Sequence, residues 1–136
     1  MNANEPFFDT NILLYLLSSD AAKADRAEQL MATGGVISVQ VLNEFATVAS
    51  RKLGMSWREI REVLDTVRAI CRVMPLTLET HDRGMALSER YGFALYDAMI
   101  LAAALLANCM ILYTEDLQDG QRIDNQLTVN NPFNPP

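Results

Sequence analysis

The chain has 136 residues, half of them hydrophobic and 21% charged, a balance that excludes intrinsic disorder and suits one globular domain over residues 1–136. Its longest apolar run, Ala98 to Ala107, is about half of the roughly 20 residues needed to cross a bilayer, so no membrane span is expected. Eleven basic against seventeen acidic residues give a net charge of −6, which excludes binding of nucleic acid by general electropositivity unless a divalent cation neutralises clustered carboxylates.

The amino terminus, Met1 to Pro6, has no basic segment, and Ile12 to Leu17 is too short for the apolar region of an export signal. Phe7-Phe8 is predicted as a short buried strand running into a helix with Ile12, Leu13, Leu14, Leu16 and Leu17, which puts Asp9 at the strand's carboxyl end. A second helix is expected from Ala21 to Ala32, stopped by Gly34-Gly35, with Val36-Ile37 as the next strand. Ser38 is the predicted N-cap of a helix from Val39 to Leu53, on which Glu44 falls at the edge of the apolar face.

Ser56 caps a fourth helix whose stripe is Ile60, Val63, Leu64, Val67, Ile70 and Cys71, with Arg58, Arg61, Arg68 and Arg72 opposite. Val73-Met74 reads as a strand before Pro75, and Thr80 to Tyr91 as a helix closed by Gly92. Tyr96-Asp97 opens the most apolar helix, to Ala107, which puts Asp97 in its first turn. Met110 to Tyr113 is a continuous apolar strand that delivers Thr114-Glu115-Asp116 to its carboxyl end, and a last strand is expected near Gln126 to Val129. Asn130 to Pro136 reads as an extended tail. Cys71 and Cys109 lie in apolar stretches and read as buried thiols of a cytoplasmic protein.

Strands alternating with helices imply an α/β fold, a three-layer sandwich in which a short parallel sheet carries helices on both faces. Ligands gather at the carboxyl ends of such strands, where Asp9 and Asp116 fall. Each acidic residue alone has a plain explanation: Asp9 as a turn residue, Glu44 as a partner for Arg51, Asp97 as a cap, Asp116 in a turn. Together they are costly. Two like charges about 5 Å apart repel by roughly 3 kcal/mol at an effective dielectric of 20. A divalent cation removes that repulsion. An all-oxygen ligand set with no His or Cys nearby in sequence points to Mg²⁺ or Mn²⁺ rather than zinc, and the chemistry such sites perform is hydrolysis at phosphate.

Four segments, Phe7-Phe8-Asp9-Thr10-Asn11-Ile12-Leu13, Asn43-Glu44-Phe45, Tyr96-Asp97-Ala98-Met99-Ile100 and Leu112-Tyr113-Thr114-Glu115-Asp116, resemble the four acidic motifs of PIN-domain nucleases in order and rough spacing. The resemblance covers nearly the whole chain, and a short PIN domain of this kind is similar to the VapC-type toxins of toxin–antitoxin pairs. It implies a PIN-like fold, Mg²⁺- or Mn²⁺-dependent endoribonuclease activity on an RNA substrate, and inhibition by a cognate antitoxin whose tail enters the acidic pocket. Carried over by position, Asp9, Glu44, Asp97 and Asp116 are the implied catalytic metal ligands, with Thr10 and Thr114 as the hydroxyls that orient them. Asp119, three residues after Asp116, is a second candidate for the fourth ligand.

An arginine is the natural antitoxin side chain for such a pocket, its planar fork matching two carboxylate oxygens. Leu13, Leu14, Tyr15, Leu16 and Leu17 offer more apolar area than one helix face buries, which suits a partner protein or a homodimer. His81, the one histidine, reads as a surface or capping residue, and the four arginines, with Asp65 and Glu62 among them, as a solvated mixed-charge face. A haloacid-dehalogenase-type phosphatase needs an acid two residues after the first aspartate, where this chain has Asn11. A receiver domain needs a lysine after a late strand, and Lys23 and Lys52 both lie in the first half. The remaining alternative is a PIN-like module that binds RNA or protein without catalysis, which would be expected to lack one of the four acids.

Overall fold

The computed structural model describes residues 5–134, so the readings of Met1 to Asn4 and of the last two prolines of the tail lie outside the described residues. The chain begins with β1 (Phe7–Phe8), both of whose side chains are fully buried. Asp9, with extended backbone angles, then caps α1 (Thr10–Tyr15) by accepting from the Thr10 N–H. Asp20 does the same for α2 (Ala21–Met31), accepting from the Ala22 and Lys23 N–H groups. β2 (Gly35–Ser38) follows, and Ser38 caps α3 (Val39–Arg51) as its position in the sequence predicts.

α4 (Trp57–Ile70) opens with a capping box, the Ser56 hydroxyl on the Glu59 N–H and the Glu59 carboxylate on the Ser56 N–H. The expected helix over Cys71 and Arg72 is corrected here. Cys71 takes extended angles and starts β3 (Cys71–Met74), so Arg72 leaves the arginine face and reaches Glu5 and the Ala107 carbonyl, each at 3.4 Å. The apolar spacing that continues a helical stripe through Ile70 and Cys71 is equally the start of a buried strand, and helical periodicity cannot separate the two.

α5 (Leu78–Tyr91) starts at the Thr77 cap and ends at Gly92, whose φ of 79° is the left-handed geometry that favours glycine at a helix end. α6 (Leu95–Leu106) is buried on nearly every side and lies close against α5, because a Cβ at Gly84 would meet the Met99 sulfur at 2.7 Å. The chain closes with β4 (Ile111–Tyr113), β5 (Arg122–Ile123) and β6 (Leu127–Asn130).

One sheet runs β3-β2-β1-β4-β6-β5, parallel throughout except for the antiparallel β5–β6 hairpin. The sequence reading contains β6 but not β5, because two residues with one buried side chain carry no alternation. The turn between them, Asp124 and Asn125 at φ 50° and 55°, is of the kind those residues favour in a tight hairpin. The core gathers Phe7, Phe8 and Leu112 from the sheet, Ile12 and Leu13 from α1, and Leu101 from α6, each fully buried. Burying a large apolar side chain contributes about 1.5–3 kcal/mol. Cys71 and Cys109 are free and buried, and burial pushes both thiols up to about 11, so both are chemically quiet. Among the described residues no helix is long and apolar enough to cross a membrane.

Candidate active site

The order of the strands places a crevice beside β1. From β1 the chain moves out through β2 to β3, then returns to the other flank of β1 as β4, so the loops leaving β1 and β4 diverge from adjacent strands. Asp9 leaves β1 there, with its N–H on the Tyr113 carbonyl at 3.0 Å, and Thr114 to Asp116 leave β4.

Asp9 is 7% exposed. Its Oδ1 accepts from the Thr10 N–H at 2.7 Å and its Oδ2 from the Thr114 hydroxyl at 2.8 Å. Burial raises its pKa from 3.8 to about 6; those two hydrogen bonds oppose the rise, and the charges of Asp116 and Glu44 add to it. Glu44, half-buried on α3, is also raised by burial and then by Asp116 and Asp97. The Thr10 hydroxyl stands close enough to favour ionised Glu44, yet it makes no full hydrogen bond to any protein atom. Asp97, in the first turn of α6, is raised by burial and then by Asp116. It caps nothing, since the N-cap position is Ala94. The start of α6 is tied to α3 by the Gln40 side-chain amide, which donates to the Tyr96 carbonyl at 2.9 Å.

Four carboxylates from four parts of the chain thus meet at one crevice, with Asp116 within electrostatic reach of the other three and Glu44 within reach of Asp9 and Asp97. Among the described residues no basic side chain forms an ion pair with any of them. Asp119 is turned elsewhere: its oxygens accept from the Asn131 N–H at 2.9 Å and the Asn134 amide at 3.1 Å, which binds the loop to the tail. His81 is exposed, and Arg58 pairs with Glu62 on a solvated surface of α4, as read from the sequence.

The donor set is entirely oxygen, which suits a hard divalent cation. Two further oxygens, Thr10 Oγ1 and Asn11 Oδ1, are buried beside the carboxylates with no hydrogen-bond partner. Buried oxygens left unsatisfied at the edge of an acidic cluster fit a hydrated cation, to whose waters they would offer acceptors. Among the described residues no group of three or more His, Cys, Asp or Glu side chains stands so that it could hold a metal ion without movement. Like charges repel at these separations, and a divalent cation would reverse the sign of that interaction.

Some of the surrounding machinery has no signal in the sequence pattern. The Asn11 amide donates to the Thr114 hydroxyl and to Asp116 Oδ2, each at 3.1 Å, and the Thr114 hydroxyl accepts from the Asp116 N–H at 3.1 Å. The Tyr15 hydroxyl donates to Glu115. Asn11 belongs to the motif around Asp9, and its place in the first turn of a helix leaving the site is the one available hint. Of the apolar residues after it, Leu13 is fully buried, Leu14, Tyr15 and Leu16 are half-buried, and Leu17 is exposed. Leu14 and Leu17, with Val48 and Leu53, line a groove of about 520 Å³ that begins at Asn11 and Glu115.

The family model described as PIN domain matches residues 7–124. No curated protein matches the chain significantly. Solved structures with the same fold include a toxin–antitoxin complex from Klebsiella pneumoniae, 24% identical, covering 95% of this chain and 98% of that one with a TM-score of 0.73. The sarcin–ricin-loop-cleaving VapC toxin of Mycobacterium tuberculosis is 20% identical over 82% of this chain and 90% of its own, with a TM-score of 0.68. DNA-bound VapBC from Salmonella typhimurium is 18% identical over 93% and 97%, also with a TM-score of 0.68.

Proposed function

The chain belongs to the PIN domain family, and from that premise we propose that it is a metal-dependent endoribonuclease, the toxin of a type II toxin–antitoxin pair. Its site is Asp9, Glu44, Asp97 and Asp116, with Asp116 rather than Asp119 as the fourth ligand. The observation that carries this reading is the gathering of Asp9, Glu44 and Asp97 around the exposed Asp116 at one crevice, where among the described residues no basic side chain pairs with any of them. Such an arrangement costs stability unless a cation enters it.

Bound there, Mg²⁺ or Mn²⁺ supplies Lewis-acid chemistry for phosphodiester hydrolysis. The chain's own residues do the positioning. Thr114 and the Thr10 N–H hold both oxygens of Asp9, and Asn11 holds Asp116 at the solvent-facing side, where a phosphate chain would approach. Thr10 Oγ1 and Asn11 Oδ1 are the acceptors left for the waters of the ion. Because Asp9 must lose its proton to act as a ligand, cation affinity falls as the pH drops through about 6.

The Klebsiella and Salmonella structures are toxin–antitoxin assemblies, and in this chain the groove from Asn11 to Leu53 supplies an apolar seat next to the acids for an antitoxin tail. Exposed Leu78, Met85 and Leu95 supply apolar surface for a homodimer of this cytoplasmic toxin. The test is incubation of total RNA with the purified protein. Cleavage that requires Mn²⁺ or Mg²⁺, stops with chelator and is absent in Asp9→Asn is the expected result. Cleavage by Asp9→Asn at the unmodified rate overturns the site, and no cleavage with either ion leaves a non-catalytic binding module.

A further inference from the structure

α1 touches the loop after β4 twice. At its first turn Asn11 reaches Thr114 and Asp116, and at its last residue the Tyr15 hydroxyl donates to Glu115, which lies between them. The direction of that second bond is set by Lys23. Its ammonium has no lone pair and donates to the Tyr15 oxygen at 3.3 Å, so the phenol's single proton is left for Glu115. The ring itself is held in place. Lys23 stands 4.7 Å over its centroid, and Phe133 meets it edge-on with centroids 4.6 Å apart. The tail that brings Phe133 there is fastened in turn, the Arg26 side chain donating to the Pro132 carbonyl at 3.2 Å.

Asp116, by contrast, is exposed, and among the described residues one side-chain bond, from Asn11, holds its carboxylate. Its direction therefore depends on how firmly the neighbouring backbone is held. Glu115 runs to an anchor on α1, Tyr15, whose ring is packed from two sides by Lys23 and Phe133. We propose that Tyr15 is a positioning residue, a strut that acts through Glu115 to fix the loop carrying Asp116 and so to set the fourth carboxylate for a divalent cation. The inference rests on the nuclease reading and concerns a residue outside its ligand set. Groups bonded directly to a metal ligand change metal affinity by about 10–100-fold when removed, and Tyr15, one step further out, belongs at the lower end of that range.

The experiment measures Mn²⁺ affinity by the loss of the free-ion electron-spin-resonance signal, beside the melting temperature of the metal-free protein. Tyr15→Phe keeps the ring against Phe133 and removes only the hydroxyl, with no change of charge. It should weaken Mn²⁺ binding about 10-fold while the metal-free melting temperature moves by less than about 2 °C. In a Glu115→Ala background the same change should have an effect of less than about 2-fold, because its route is gone. Glu115→Gln and Glu115→Ala both lack the charge, but only glutamine accepts from Tyr15, so Glu115→Gln should bind Mn²⁺ about 5-fold or more tightly than Glu115→Ala whatever Tyr15→Phe does to folding. Unchanged affinity in Tyr15→Phe, an equal loss with and without Glu115, or equal binding by the two Glu115 variants overturns the strut and leaves the nuclease reading standing. Failure of the unmodified protein to bind Mn²⁺ overturns both.

Discussion

Asp124 and Asp9 both sit at strand ends of one sheet, and their surroundings are opposite. Asp124, in the β5–β6 turn, accepts from Arg83, Arg90 and the Tyr91 hydroxyl, each at 3.1 Å, and its own N–H donates to Tyr91 at 2.9 Å. Its charge is spent on stapling the hairpin to α5. Asp9 is more deeply buried, has no basic partner among the described residues, and feels two further acids. A carboxylate whose neighbours already neutralise it has little to offer a ligand. One whose neighbours repel it stores free energy that a divalent cation releases.

The largest expected difference between the two regions is in activity. Asp9→Asn should lower Mn²⁺-dependent RNA cleavage by at least about 10²-fold, the scale of losing one preorganised charged group at a reacting centre. Asp124→Asn should stay within about 3-fold, and gel-based cleavage rates compare them. If both fall equally, the hairpin is part of the site and the contrast is wrong.

Stability should move the other way. Asp124→Ala leaves two arginines facing each other and should cost about 1–2 kcal/mol, lowering the melting temperature by a few degrees. Asp9→Asn without metal at pH 7.5 should gain about 1–2 kcal/mol. The rise from 3.8 to about 6 corresponds to a penalty of about 3 kcal/mol, offset by weaker hydrogen bonding from Thr10 and Thr114. Calorimetry of the two variants reads the opposite signs.

The pH dependence follows from the same group. Its folded pKa lies above its unfolded one, so its stabilising effect is complete below about 4 and is lost as the pH rises through about 6. Glu44 and Asp97 shift in the same direction and add to the slope. The metal-free protein should therefore lose stability between about pH 4 and 7, Asp124→Ala should keep that slope, and Asp9→Asn should flatten it. Denaturant midpoints across that range give the comparison. The smallest expected effect belongs to Arg58, whose pair with Glu62 is almost wholly solvated. Arg58→Ala should change stability by less than about 0.5 kcal/mol in the same assay, marking how little a charge contributes where water already surrounds it.

The sequence reads best where local chemistry dictates structure. Phe7-Phe8 into Asp9, Ser38 as a cap, and the all-apolar helix before Ile111–Tyr113 each follow from patterns within a few residues, and they are enough to put Asp9 and Asp116 at strand ends, which the pairing of β1 with β4 then makes neighbours. Cys71 misleads because an apolar residue in helical register is also a good first strand residue. β5 is too short to show a period. Contacts such as Asn11 with Asp116 and Tyr15 with Glu115 join residues about a hundred positions apart, and only the fold brings them together. The proposed preference for Asp116 over Asp119 is of the same kind, since both lie on one loop and it rests on Asn11 meeting the one and the tail meeting the other.

The most direct test of the central claim is a Mn²⁺ titration of melting temperature at pH 7.5 on the unmodified chain and on Asp9→Asn. A ligand at about 100 times its dissociation constant stabilises by about 2.7 kcal/mol. The unmodified protein should therefore climb by several degrees and Asp9→Asn should stay flat. A flat titration for the unmodified chain, or an equal climb for both, contradicts a cation site built from these four carboxylates.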